Sequence, residues 1–97
     1  MTIEITAEAA AALRRSLDLA HIDPTSGAGV RLRAAKALGG GSEVQVELAD
    51  GPLPGEVEVA KDGINVFIDP SVAELYPDAI VALEPQHETV VVRPKEA

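Results

Sequence analysis

The sequence contains no cysteine and no tryptophan, and Phe67 and Tyr76 are its only aromatic residues. Without a thiol the chain by itself forms no disulfide, no cysteine nucleophile, no zinc ribbon and no thiolate-ligated cluster. Without large rings, a core has to be assembled from valine, isoleucine, leucine and many alanines. Cations are also scarce: 8 Lys and Arg stand against 16 Asp and Glu, a formal charge of −8. That balance excludes nucleic acid as a partner, because phosphate binding needs clustered cations that release counterions, and it argues equally against an anionic membrane surface. No apolar run approaches the ~20 residues of a membrane-spanning helix, and the opening residues carry neither the basic region nor the hydrophobic stretch of a secretion signal. The expectation is an acidic, cytoplasmic protein whose residues 1–97 form a single domain.

What is present is a change of hydrophobic period. Ile3 and Ile5 alternate with Thr2 and Glu4 as in a short strand. From Thr6 to about His21, Ala10, Leu13, Leu17 and Ala20 recur at spacings of three and four, which predicts one amphipathic helix with Thr6 as its N-cap. After the break at Asp23-Pro24-Thr25-Ser26-Gly27 the period becomes two. Val30, Leu32 and Ala34 define one strand, and Val44, Val46 and Leu48 the next, with Leu38-Gly39-Gly40-Gly41-Ser42 as the connection. Val57 and Val59 alternate with Glu56 and Glu58, and Asp62-Gly63 carries a hairpin signal into Ile64, Val66 and Ile68. Asp69-Pro70-Ser71 predicts entry to a short helix with Val72, Leu75 and Tyr76 as its apolar contacts, stopped by Pro77. Two more strands follow, 79–83 and 89–93, and residues 94–97 read as a frayed end. The order of elements predicts an α+β fold with mostly antiparallel pairing, in which Leu13 and Leu17 pack on the strands of Leu32, Val46 and Val66.

Candidate chemistry is sparse. Gly39-Gly40-Gly41-Ser42 resembles an anion cradle only superficially, because a phosphate loop requires a lysine at a fixed offset and a following helix, and here Glu43 opens a strand. His21 and His87 are the only imidazoles, and a metal or base role would require them to converge with Asp18, Asp23, Glu84 or Glu88. Ser16, Ser26, Ser42 and Ser71 stand in no nucleophile motif. The pairs Glu43 with Glu47 and Glu56 with Glu58 fall on alternate strand positions, the pattern of a solvated sheet face. Arg31 and Arg33, with Lys36 nearby, form a basic stripe that either meets an acidic partner or pairs across strands with Glu43 or Glu47. None of this assembles a catalytic set, so the expectation is a protein that is not an enzyme.

Several phrases recur in a familiar order: Ile3-Glu4-Ile5-Thr6 with Ala9-Ala10, Gly29-Val30-Arg31-Leu32, Gly39-Gly40-Gly41-Ser42, Val46-Glu47-Leu48-Ala49-Asp50, Asp62-Gly63-Ile64, Val66-Phe67-Ile68-Asp69-Pro70-Ser71 and Arg93-Pro94. In order and spacing they resemble the HesB-like family of A-type iron–sulfur carriers, also called the IscA family, over nearly the whole chain. The resemblance implies twisted mixed and antiparallel sheets with one long N-terminal helix and one short late helix. In that family a cysteine follows the glycine-rich turn and a Cys-Gly-Cys lies in a C-terminal tail, the thiolates holding cluster or iron, usually between subunits. Gly41 falls where the first cysteine would stand, and the sequence ends three residues after Pro94 without the other two. The resemblance therefore implies a cysteine-free branch with no catalytic, cofactor or metal residues. Two functions follow from it. One is a non-catalytic interaction or accessory module, pairing with itself as a weak homodimer or with an iron–sulfur assembly or client protein. The other is a small-ligand or metal-binding protein that uses histidine and carboxylates in place of thiolates.

Overall fold

The protein is described by a computed structural model that covers residues 2–36, 38–84, 86 and 89–94. The first strand, β1 (Thr2–Ile5), runs directly into α1 (Ala7–Leu19). Thr6 caps that helix as its sequence position predicts, its hydroxyl accepting the Ala9 N–H at 3.2 Å. Ala9, Ala10, Leu13 and Leu17 form the buried stripe. The helix stops short of His21: Ala20 is the cap and is exposed, so it does not extend the apolar face, and His21 takes a left-handed φ of 58°.

The remaining elements are β2 (Gly29–Lys36), β3 (Ser42–Ala49), β4 (Val57–Lys61), β5 (Ile64–Ile68), α2 (Pro70–Leu75), β6 (Asp78–Glu84) and β7 (Thr89–Pro94). They form two sheets, one ordered β1-β6-β7 and the other β3-β2-β5-β4. The β2–β3, β4–β5 and β6–β7 ladders are antiparallel, as the expected mostly antiparallel pairing requires, and β1–β6 and β2–β5 are parallel, which makes both sheets mixed. Asp62 and Gly63 both have positive φ, as a two-residue turn between β4 and β5 requires. Pro94 pairs with Ala79 and belongs to β7, not to a frayed end; residues 95–97 lie outside the described residues.

The apolar faces of the two sheets and the stripe of α1 meet in one cluster that includes Ile5, Leu13, Leu17, Leu32, Ile68 and Val81. Val72 of α2 joins them, while Leu75, expected to pack, is 41% exposed. Asp69 caps α2, its carboxylate accepting both the N–H and the hydroxyl of Ser71, and the Ser71 oxygen in turn accepts the Ala34 N–H at 3.2 Å. Those bonds, the hydroxyl one foremost, hold the Asp69 carboxyl below its ordinary range.

The parallel β2–β5 contact depends on one residue without a side chain. A Cβ on Gly29 would collide with the carbonyl group of Asn65, whose carbon lies 2.8 Å from that position. Asn65 reinforces the approach by donating its side-chain amide to the Ala28 carbonyl at 3.2 Å. Because β3 and β4 occupy opposite edges of the four-stranded sheet, residues 50–56 between them must cross the sheet diagonally. They cross the face turned away from the core, over the register row that holds Arg31 and Phe67.

Candidate functional site

Among the described residues, those singled out in the sequence do not converge on a metal site. Residues 38–41 between β2 and β3 are exposed, Gly40 and Gly41 have positive φ, and open space surrounds the point where a side chain at Gly41 would begin. His21 is exposed, and its backbone N–H caps α1 by donating to the Asp18 carbonyl. His87 and Glu88 lie outside the described residues. The Asp23 carboxylate accepts from the N–H and hydroxyl of Thr25, and these bonds lower its pKa. Ser16 bonds the Ala12 carbonyl, Ser26 bonds the Asp23 carbonyl, and Ser71 serves the α2 cap. Among the described residues, no three His, Asp or Glu side chains come close enough to share a metal ion.

The basic stripe divides into two unlike residues. Arg33 makes the expected cross-strand pair with Glu47, at 3.5 Å and with both side chains partly exposed. Arg31 instead reaches the crossing segment, where its Nε donates to Glu56 Oε2 at 2.6 Å and its terminal nitrogen to Glu56 Oε1 at 3.3 Å and to the Gly51 carbonyl at 2.9 Å. Glu56 Oε1 also accepts the Leu53 N–H at 2.6 Å. The Glu56 side chain is 1% exposed, so it does not share a solvated face with Glu58 as the alternation suggested. The hydrogen bond from Arg31 is the chief cause that lowers the Glu56 pKa; burial opposes it, and the Leu53 amide adds to it. The same bond, against the cost of burial, raises the Arg31 pKa. This network ties both ends of the crossing segment to β2. Phe67, in register with Arg31 on that face, is 1% exposed beneath it. The arrangement is structural: the Arg31 bonds to Glu56 and Gly51 and the Leu53 bond to Glu56 all run between groups of the fold itself.

The opening lies on the other side of the sheet. Val44, Val46 and Leu48 share the face that packs on the core, in register with Ala34, Leu32 and Val30. The second sheet and α1 do not extend over the β3 margin, so Val46, expected in the core, is 39% exposed and Leu48 is 45% exposed. An open groove of about 590 Å³ runs here between α1, β3 and β7, lined by Leu13, Leu19, Val44, Val46 and Val90, with Arg15 as a cation on its wall. Leu19, at the end of α1, is 82% exposed. The unevenly covered apolar face was not readable from periodicity, which assigns a side chain to a face without showing how far the opposing layer reaches.

The order β3-β2-β5-β4 with a parallel centre, the β1-β6-β7 sheet beside it and the helix spanning both can be compared with known architectures. An IscA crystal structure with a 2Fe–2S cluster superposes with a TM-score of 0.68 over 95% of this chain and 82% of that one, at 17% identity. The chain has the IscA-like fold. Escherichia coli SufA, described as involved in the biosynthesis of iron–sulfur clusters, matches with a TM-score of 0.70 at 16% identity, over 99% of this chain and 82% of SufA. A protein from Aquifex aeolicus solved by NMR matches at 0.67 and 16% identity, over 98% of this chain and 93% of its own. No protein-family model and no curated protein matches the sequence. At these identities the likeness establishes the fold, and the donor set has to be judged on its own residues. An iron–sulfur cluster is held chiefly by thiolates, and this IscA-like chain has none. Its residues do not fit such a group.

Proposed function

We propose that the chain is a cysteine-free protein-interaction module on the IscA-like fold, neither an enzyme nor a carrier of a cluster, and that it acts in the cytoplasm. The observation that carries this reading is the combination of a fold match over 95% of the chain with a cysteine count of zero. The scaffold of a carrier is kept where the soft anionic ligands for iron are lost, and imidazole usually replaces only part of such a ligand set. Gly41 offers no donor at the place the resemblance gives to the first cysteine, and His21 stands apart from any carboxylate cluster among the described residues. The partly covered apolar margin at β3 supports association, since exposed apolar surface bordered by polar residues marks interaction sites. Candidate partners are iron–sulfur assembly or client proteins, or a second copy of the chain.

The test is purification of the untagged protein from its own cells at physiological salt, followed by identification of co-purifying proteins and metal analysis. A stoichiometric protein partner or self-association, without iron or sulfide, supports the module. Stoichiometric iron with sulfide, or a purely monomeric protein with no partner, overturns it. Anaerobic reconstitution with iron and sulfide should likewise leave the desalted protein colourless.

A further inference from the structure

We infer that β3 and the groove beside it dock an extended segment of another protein in which aliphatic residues alternate with lysine or arginine. This deepens the interaction-module reading and rests on it. β3 is an edge strand eight residues long, and a strand of that length on a sheet edge is a template for pairing by backbone hydrogen bonds. Its two faces differ in chemistry. Val44 and Val46 line the groove with Leu19 of α1, and Leu48, on the same face of β3 beyond the groove, is 45% exposed. On the opposite face it presents Glu43, Gln45 and Glu47. Glu47 is paired with Arg33 from the inner strand, yet its side chain remains 38% exposed and open to a second cation on the edge side.

An incoming strand follows the same alternation. Every second side chain falls on the apolar face of β3, where aliphatic surface covers Val46 in the groove and Leu48 beyond it, and where Arg15 on the groove wall repels a cation. The intervening side chains lie beside Glu43 and Glu47, where a lysine or arginine is attracted and an acid is repelled. Charge also weighs against the simplest alternative occupant, a second copy of β3. Two copies of β3 paired antiparallel about Gln45 would set Glu43 opposite Glu47 twice, in chains that each carry a net charge of −8.

The experiment uses the whole chain and a fluorescent peptide of about eight residues, the length of β3, in which valine and lysine alternate. Controls are a peptide of the same composition with its lysines in one block and a valine–glutamate alternating peptide. The alternating lysine peptide should bind saturably and perturb the amide resonances of residues 42–49. The double variant Glu43→Lys with Glu47→Lys should weaken it by about tenfold or more, because two attractive cross-strand pairs become repulsive, and should gain the glutamate peptide. Glu58→Lys, an exposed charge reversal on the opposite edge strand, should leave binding unchanged and controls for the position of the reversal. Absence of saturable binding, equal binding of the block peptide, or perturbations centred away from β3 overturns the proposal. So does a dimer in sedimentation that Val46→Lys abolishes, which would give the groove to a second copy. A native partner retained unchanged by the charge-reversed variant overturns the docking surface and leaves the module intact; absence of any partner removes the module itself.

Discussion

The two faces of the four-stranded sheet are closed by different physics. On the inner face, Leu32, Val66 and Ile68 are sealed by α1 and the second sheet through many interchangeable aliphatic contacts. On the outer face, Phe67 is sealed by a seven-residue segment, 50–56, that one arginine holds through Glu56 and the Gly51 carbonyl. The inner closure is spread over a dozen side chains; the outer one is concentrated in a few directional bonds. A spread closure loses stability in proportion to volume removed, whereas a concentrated one responds to charge and pH.

The largest effect should come from the inner face. Leu17 is fully buried at the C-terminal end of the α1 stripe, and Leu17→Ala is expected to cost about 2–5 kcal/mol in urea unfolding, from lost transfer energy and the cavity left behind. A loss near 0.5 kcal/mol or below, the level of a surface change, would show that the helix does not close this face. Next is the residue that lets the central strands approach. Gly29→Ala places a methyl group against the Asn65 carbonyl and should cost about 1–3 kcal/mol, although it adds apolar surface. A neutral outcome would mean that β2 and β5 part without penalty.

On the outer face, Glu56→Gln should lower the urea midpoint at neutral pH by less than either of these, and the gap to wild type should shrink in acid. The folded-state pKa of Glu56 is lowered, so its ionised form contributes stability above the ordinary glutamate value, about 4.3, and that contribution is lost as pH falls through the folded value. A midpoint difference that stays constant from about pH 7 to about pH 3 would break the claim that charge closes this face. The smallest effect belongs to the uncovered margin. Val46→Thr keeps the branched side chain at a 39% exposed position and should change stability by no more than about 0.5 kcal/mol. A loss of about 2 kcal/mol would restore Val46 to the core that its alternation with Gln45 and Glu47 suggested.

The elements were legible because the sequence changes period cleanly. Leu13 and Leu17 announce a helix, and the alternation of Val30 with Arg31 and the recurrence of Ile64, Val66 and Ile68 at every second position announce strands. The Thr6 cap and the helix entry at Asp69-Pro70-Ser71 were legible too, since Thr6 and Asp69 act through bonds to residues two or three positions away. The parallel β2–β5 contact was not, because nothing local shows that Gly29 and Asn65 meet. Nor was the role of Glu56: read within its own strand it resembles Glu58, and only a partner 25 positions earlier in the chain, Arg31, makes it a buried acid. Phe67 falls at an outward position by alternation and is nevertheless buried, because a connecting segment covers it. The site question was half legible: the missing thiols are plain in the sequence, while the uncovered edge at Val46 depends on how far α1 and the second sheet extend.

The crossing of residues 50–56 also imposes an order on assembly. The β2–β3 and β4–β5 hairpins each close over short loops and can form within microseconds, but neither buries its apolar face alone. Joining them requires parallel pairing between strands far apart in sequence, with Gly29 seated beside Asn65, before Arg31 can reach Glu56 and fasten the segment above. The bottleneck in folding should therefore be the docking of two preformed hairpins, with the latch set afterwards. In stopped-flow refolding, Gly29→Ala should slow the folding limb, whereas Glu56→Gln should mainly hasten unfolding.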